Sequence, residues 1–101
     1  MRVIIVEDEA LIAKDLRKLL ARLQPTWEVL AVLGSIAKTV AWLKDNDAPA
    51  LAFMDIQLAD GASFEIFEQT EINFPVIFTT AYDQYAIRAF QVNSIGYLSV
   101  S

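Results

Sequence analysis

The chain has 101 residues, 55% of them apolar, with 8 Lys plus Arg against 13 Asp plus Glu, a formal charge of −5, and neither Cys nor His. One hydrophobic core serves a chain of this size, which buries roughly two-thirds of its unfolded surface without covalent staples. The composition excludes disulfides, thiolate metal sites, cysteine nucleophiles and imidazole general bases, and removes the usual zinc ligand.

The first segment, 3–6, is a short apolar run flanked by amphipathic sequence, the pattern of a parallel strand covered on both faces. From Ile12 the period becomes helical. Ile12, Leu16, Leu19, Leu20 and Leu23 form an apolar stripe, while Lys14, Asp15, Arg17, Lys18 and Arg22 face water. Asp8 is available as this helix's N-cap. Pro25 stops the helix ahead of a second strand at 29–33. Ser35 caps a second helix that turns Ile36, Val40 and Leu43 inward. Pro49 precedes a third strand at 51–54, and a short helix at 64–71 sets Phe64 and Phe67 one turn apart. Pro75 introduces the fourth strand at 76–78. A fourth helix at 83–91 spaces Ala86, Ala89 and Phe90 for burial, and a weaker strand follows at 95–98.

Strand-helix alternation repeated four times and closed by a strand predicts an α/β fold with an open, doubly wound parallel five-stranded sheet. Right-handed crossovers leave few topologies, of which the flavodoxin-like order 2-1-3-4-5 is the one expected. The longest apolar runs are four or five residues, far short of the roughly 18 a membrane span needs. Glu7, Asp8 and Glu9 occupy the place of a secretory apolar segment, so a cytoplasmic protein is expected. The basic residues are dispersed, which disfavours direct binding to nucleic acid.

Ligands of such sheets bind outside the carboxyl ends of the strands. Glu7, Asp8 and Glu9 follow strand one, Asp55 follows strand three, and Thr79 and Thr80 finish strand four. Neighbouring strands lie about 4.8 Å apart, so these carboxylates are expected to crowd into one depression. Two carboxylates about 5 Å apart repel by roughly 3 kcal/mol at an effective dielectric of about 20. Either a carboxyl group holds a proton or a cation sits among them, and oxygen-only ligands match Mg²⁺ best. A carboxylate beside Mg²⁺ and a threonine hydroxyl is placed to attack a phosphoryl group and become an aspartyl-phosphate. The plainer reading is helix capping by acidic residues, which the joint presence of Glu7-Asp8, Asp55 and Thr79-Thr80 outweighs. Gly34, Gly61 and Gly96 are isolated, so no glycine-rich phosphate cradle is present and a nucleotide-binding enzyme is disfavoured.

The blocks VIIVEDE (3–9), MDIQLADG (54–61) and FTTAY (78–82) resemble, in order and spacing, the receiver domain of two-component response regulators. The stretch TAYDQYAIRAFQVNSIGYL (80–98) is most similar to receivers that precede LytTR-type DNA-binding domains. The resemblance covers essentially all of residues 1–101. It implies that Asp55 accepts a phosphoryl group from a histidine kinase. Asp8 would bind Mg²⁺ directly alongside Asp55, Glu7 through water, and the backbone carbonyl of Gln57 would complete the site. It further implies that Thr80 hydrogen-bonds the phosphoryl oxygens and that Tyr97 is the aromatic switch residue, with signalling through the fourth helix and fifth strand.

Two departures from the family pattern carry expectations. Val100 stands where the family places a lysine, which removes a charge-assisted contact of a type worth roughly 1.5–3 kcal/mol while leaving metal binding intact. The sequence also ends where a fifth helix would begin, as an incomplete receiver. Apolar strand side chains are therefore expected to face water and to drive self-association. The reading is a Mg²⁺-dependent phosphoacceptor switch, not a turnover enzyme. The alternative is a non-phosphorylated interaction module of the same fold. A metal-dependent phosphatase with an aspartate nucleophile is disfavoured because Gln57 occupies the place of its second aspartate.

Overall fold

In the computed structural model, which describes residues 1–80 and 96–99, the chain opens with β1 (Arg2–Val6), α1 (Ala10–Leu23), β2 (Glu28–Leu33), α2 (Ile36–Asp45) and β3 (Leu51–Asp55). Two-residue strands β4 (Gln57–Leu58) and β5 (Gly61–Ala62) follow, then α3 (Phe64–Gln69), β6 (Val76–Thr80) and β7 (Gly96–Ser99). The main sheet is parallel with the order β2-β1-β3-β6-β7. With the antiparallel β4–β5 pair set aside, this is the 2-1-3-4-5 order expected. The helix expected at 83–91 lies outside the described residues.

The alternation of side chains along each strand divides the core in two. On one face Ile4, Val6, Ala52, Met54, Val76 and Phe78 cluster with Ile36 and Val40 of α2 and with Phe64 and Ile66 of α3. The Phe78 ring lies 5.5 Å from that of Phe64 and 6.2 Å from that of Phe67, centre to centre. On the other face Val3, Ile5, Leu51 and Phe53 cluster with Ala13 and Leu20 of α1. Helices therefore cover both sides of the sheet, as in a doubly wound fold.

α1 differs from expectation in rotation. Its buried line is Ala13 and Leu20 with Leu16 half-buried, whereas Ile12, Leu19 and Leu23 are exposed, Leu23 by 61%. A helix sits closest to a sheet where its side chain is smallest. Ala13 sets the approach, and the leucines on the flank of the predicted stripe are turned outward. Among the described residues, the central-strand side chains expected to face water are covered, while those of β7 lie outside the described side chains. Val3, Ile5, Leu51 and Phe53 are buried and Ile77 half-buried, and among the described residues the exposed large apolar ones sit at Met1, on α1 and at Val32 of edge strand β2. The β1–β2 register shifts between Val3, opposite Val29, and Ile4, opposite Ala31, so Leu30 has no counterpart on β1. No helix among the described residues is long and apolar enough to cross a membrane.

Candidate functional site

The site lies where β1 and β3 end side by side. Val6 pairs with Met54, which brings the next residues along, Glu7 and Asp55, beside one another. The Glu7 N–H donates to the Leu33 carbonyl at 2.9 Å, carrying the β1–β2 ladder one residue past the strand. That places the Glu7 side chain in the interior, only 6% exposed. One carboxylate oxygen from each of Glu7, Asp8 and Asp55 falls within 4.8 Å of the others.

Crowding of this kind leaves its mark on protonation. Burial pushes the Glu7 carboxyl up from 4.5 to about 7, helped by the charge of Asp55 and opposed by a hydrogen bond from the Glu9 N–H at 3.1 Å. Burial also raises Asp55, against the opposing influence of the nearby N–H groups of Gln57 and Ile56 and of the Glu7 carboxyl. The plainer reading of Asp8, as the cap of the first helix, does not hold. Glu9, not Asp8, is the N-cap of α1 and makes no side-chain capping bond. The Asp8 carboxylate instead joins those of Glu7 and Asp55.

Strand register places the remaining predicted residues. Thr79 is buried and stands opposite Asp55 in the β3–β6 register. Thr80 follows at the carboxyl end of β6, opposite Ser99, and Tyr97 of β7 stands opposite Phe78. Gln57 opens β4 immediately beyond the Asp55 strand. The donor set is oxygen only and concentrates three carboxyl groups, which suits a hard divalent cation such as Mg²⁺ that binds one or two carboxylates and keeps several waters.

One residue that sequence reasoning passed over is Asp60. It lies in the turn between β4 and β5, and its carboxylate accepts the N–H groups of Ile36 at 2.8 Å and Ala37 at 3.1 Å. Those two hydrogen bonds hold Asp60 below the ordinary carboxylate range. The dipeptide Asp60-Gly61 is a tight-turn signal that would have located the turn. Nothing local announces its target on α2.

Comparison with known proteins agrees with this geometry. The family model described as "Response regulator receiver domain" matches residues 3–99. The sensory transduction protein LytT of Enterococcus faecalis is 38% identical, the match covering 97% of this chain and 41% of that protein. The positive alginate biosynthesis regulatory protein of Pseudomonas aeruginosa is 33% identical over 97% of this chain and 40% of its own length. The chain thus spans about two-fifths of these relatives. Among solved structures, the signal receiver domain of a modulated diguanylate cyclase from Desulfovibrio desulfuricans superposes with a TM-score of 0.81 at 33% identity, covering 97% of this chain and 79% of that one. The response regulatory domain of mrkE from Klebsiella pneumoniae gives a TM-score of 0.83 at 26% identity over 98% and 82% of the two chains. With its sheet order, its acidic cluster and a family match that spans nearly its whole length, the chain belongs to the response regulator receiver domains.

Proposed function

We propose that residues 1–101 form one receiver unit that acts as a Mg²⁺-dependent phosphoacceptor, taking a phosphoryl group on Asp55 from a histidine kinase in the cytoplasm. The observation that carries this reading is the convergence of Glu7, Asp8 and Asp55 from two separate segments, their carboxylate oxygens within 4.8 Å. Asp8 and Asp55 would hold the ion directly, Glu7 through water, and the Gln57 carbonyl would complete the set. When bound, the ion neutralises the crowded carboxylates and polarises the phosphoryl oxygens.

The protein's own residues supply orientation and the nucleophile. The N–H groups of Gln57 and Ile56, which favour the charged form of Asp55, would orient its carboxylate. One of its oxygens attacks phosphorus, the P–N bond of the kinase phosphohistidine breaks, and the ring nitrogen leaves with the electron pair and takes a proton. The Thr80 hydroxyl then hydrogen-bonds the phosphoryl oxygens, with Tyr97 responding as the switch aromatic. Added charge at Asp55 biases the surrounding segments between two arrangements, the usual way a phosphorylation switch works. The protein is consumed and regenerated as a substrate, not turned over as an enzyme.

Incubation with acetyl phosphate and Mg²⁺, then intact-mass measurement, tests the reading. A phosphoryl increment that requires Mg²⁺ and is lost in Asp55→Asn is expected. An increment retained in Asp55→Asn, or none in the wild type, refutes it and leaves the interaction module of the same fold.

A further inference from the structure

Asp55 is followed by a minimal hairpin in which Gln57 pairs with Ala62 and Leu58 with Gly61, residues 59 and 60 making the turn. Two-residue strands hold themselves in place poorly, since an isolated hairpin is marginal even at greater length. This one is fixed at both ends by other elements. At its base the Ser63 N–H donates to the Ile56 carbonyl at 2.7 Å. At its tip the two Asp60 carboxylate oxygens take the N–H groups of Ile36 and Ala37, 24 and 23 residues away in sequence.

Those amides belong to the first turn of α2, whose N–H groups have no partner within the helix. The helix has its own cap as well, since the Ser35 hydroxyl oxygen accepts the Lys38 N–H at 3.0 Å. Asp60 therefore does more than complete a helix end. α2 is anchored in the core through Ile36, Thr39 and Val40, so a carboxylate gripping its first turn ties the hairpin tip to a rigid body. The fit is close. Gly61 has φ of +139°, and a Cβ there would lie 2.5 Å from Glu65 Oε2 and 3.3 Å from Ile36 Cδ1. Between the fixed tip and the fixed base sits Gln57, two residues past Asp55 and paired with Ala62, its N–H near enough to the Asp55 carboxylate to favour the charged form.

We propose that Asp60 is a positioning residue for the acidic site: by pinning the hairpin to α2 it holds Gln57, and through the Gln57 backbone it orients the Asp55 carboxylate. The metal-binding consequence rests on reading Asp55 as the Mg²⁺-dependent phosphoacceptor, while the backbone consequence does not. Outer-shell partners of this kind are worth about tenfold or more in metal affinity. Linkage makes the effect reciprocal, so filling the acidic site protects the Ile36 and Ala37 amides from hydrogen exchange.

The test uses the full chain, ¹⁵N-labelled, as wild type, Asp60→Ala, Asp60→Asn and Ser35→Ala, each titrated with Mg²⁺. Asp60→Ala is expected to displace the Gln57 amide resonance in the metal-free protein and to weaken Mg²⁺ binding about tenfold. Asp60→Asn keeps one carbonyl acceptor and falls between. Ser35→Ala removes a cap from the same helix end without touching the hairpin, so it loses stability but keeps the wild-type Gln57 resonance and Mg²⁺ affinity. A folded Asp60→Ala with both readouts at wild-type values overturns the proposal, as does a Ser35→Ala as impaired as Asp60→Ala. Should Asp60→Ala not fold, Asp60→Asn carries the same comparison. A wild type that takes up no Mg²⁺ defeats the phosphoacceptor reading alone, because the metal-free Gln57 resonance still decides the positioning role.

Discussion

Glu7 makes the fold weaker as pH rises, and its surroundings set the size of the effect. Its carboxyl is raised from 4.5 to about 7, chiefly by burial and then by the charge of Asp55. Between those values the native state holds a proton that the unfolded chain has released. Stability is therefore complete below the unfolded value and falls by up to about 1.4 kcal/mol per pH unit until the folded value is passed. Over the whole window the loss is about 3 kcal/mol, a large share of the roughly 5–15 kcal/mol typical of a domain. Asp55, also raised, acts in the same direction. Asp60 is lowered, so its contribution is lost only as pH falls below the ordinary carboxylate range, outside this window. Urea unfolding in a chelating buffer from about pH 5 to about pH 8 should show the decline. Glu7→Gln should flatten it and gain about 3 kcal/mol at the alkaline end. On the phosphoacceptor reading Mg²⁺ would compete with the same proton, so its affinity should rise up to about tenfold per pH unit as pH approaches 7. A wild-type profile that is flat or climbs with pH, or a Glu7→Gln profile that keeps the wild-type slope, refutes the reasoning.

Two further substitutions test the core beneath the site. Phe78 is fully buried between the Phe64 and Phe67 rings, and Phe78→Ala should cost about 3–5 kcal/mol in denaturant unfolding. A loss under about 1 kcal/mol would mean that the rings do not carry the packing attributed to them. Ser63 is fully buried and its hydroxyl has no hydrogen-bond partner among the described residues. Ser63→Ala should therefore raise stability by about 1 kcal/mol, or roughly 4–8 °C in Tm, and a fall in Tm would show that the hydroxyl is bonded.

How far the molecule could be read from its sequence depended on the range of the forces involved. β1, β3 and β6 were legible because strands covered on both faces abandon polar alternation, and 3–6, 51–54 and 76–78 have no other ready explanation. Neighbouring strands then brought Glu7 and Asp8 to Asp55 as a matter of register. The rotation of α1 was not legible. Five apolar positions outweigh one alanine in any periodicity, yet the small residue decides which line meets the sheet. Asp8 was ambiguous for a similar reason, since an acidic residue before a helix fits a cap or a cluster equally until tertiary contacts choose. Asp60 was hidden most completely, because its two oxygens serve a helix end 24 residues earlier. Sequence spacing carries no record of that pairing.

The unmatched Leu30 has a consequence for the company this apolar chain keeps. β2 is the outermost strand on its side, and Val32 there is 39% accessible. A straight margin would offer a stranger's backbone an evenly spaced row of donors and acceptors to copy. The extra residue throws that row out of step after Val29 and twists the remainder of the strand. A visiting segment can match the stretch before the irregularity or the stretch after it, but not both at once. The margin is thereby a poor template, and sheet growth from molecule to molecule is discouraged beyond what the charge of Glu28 at its start supplies.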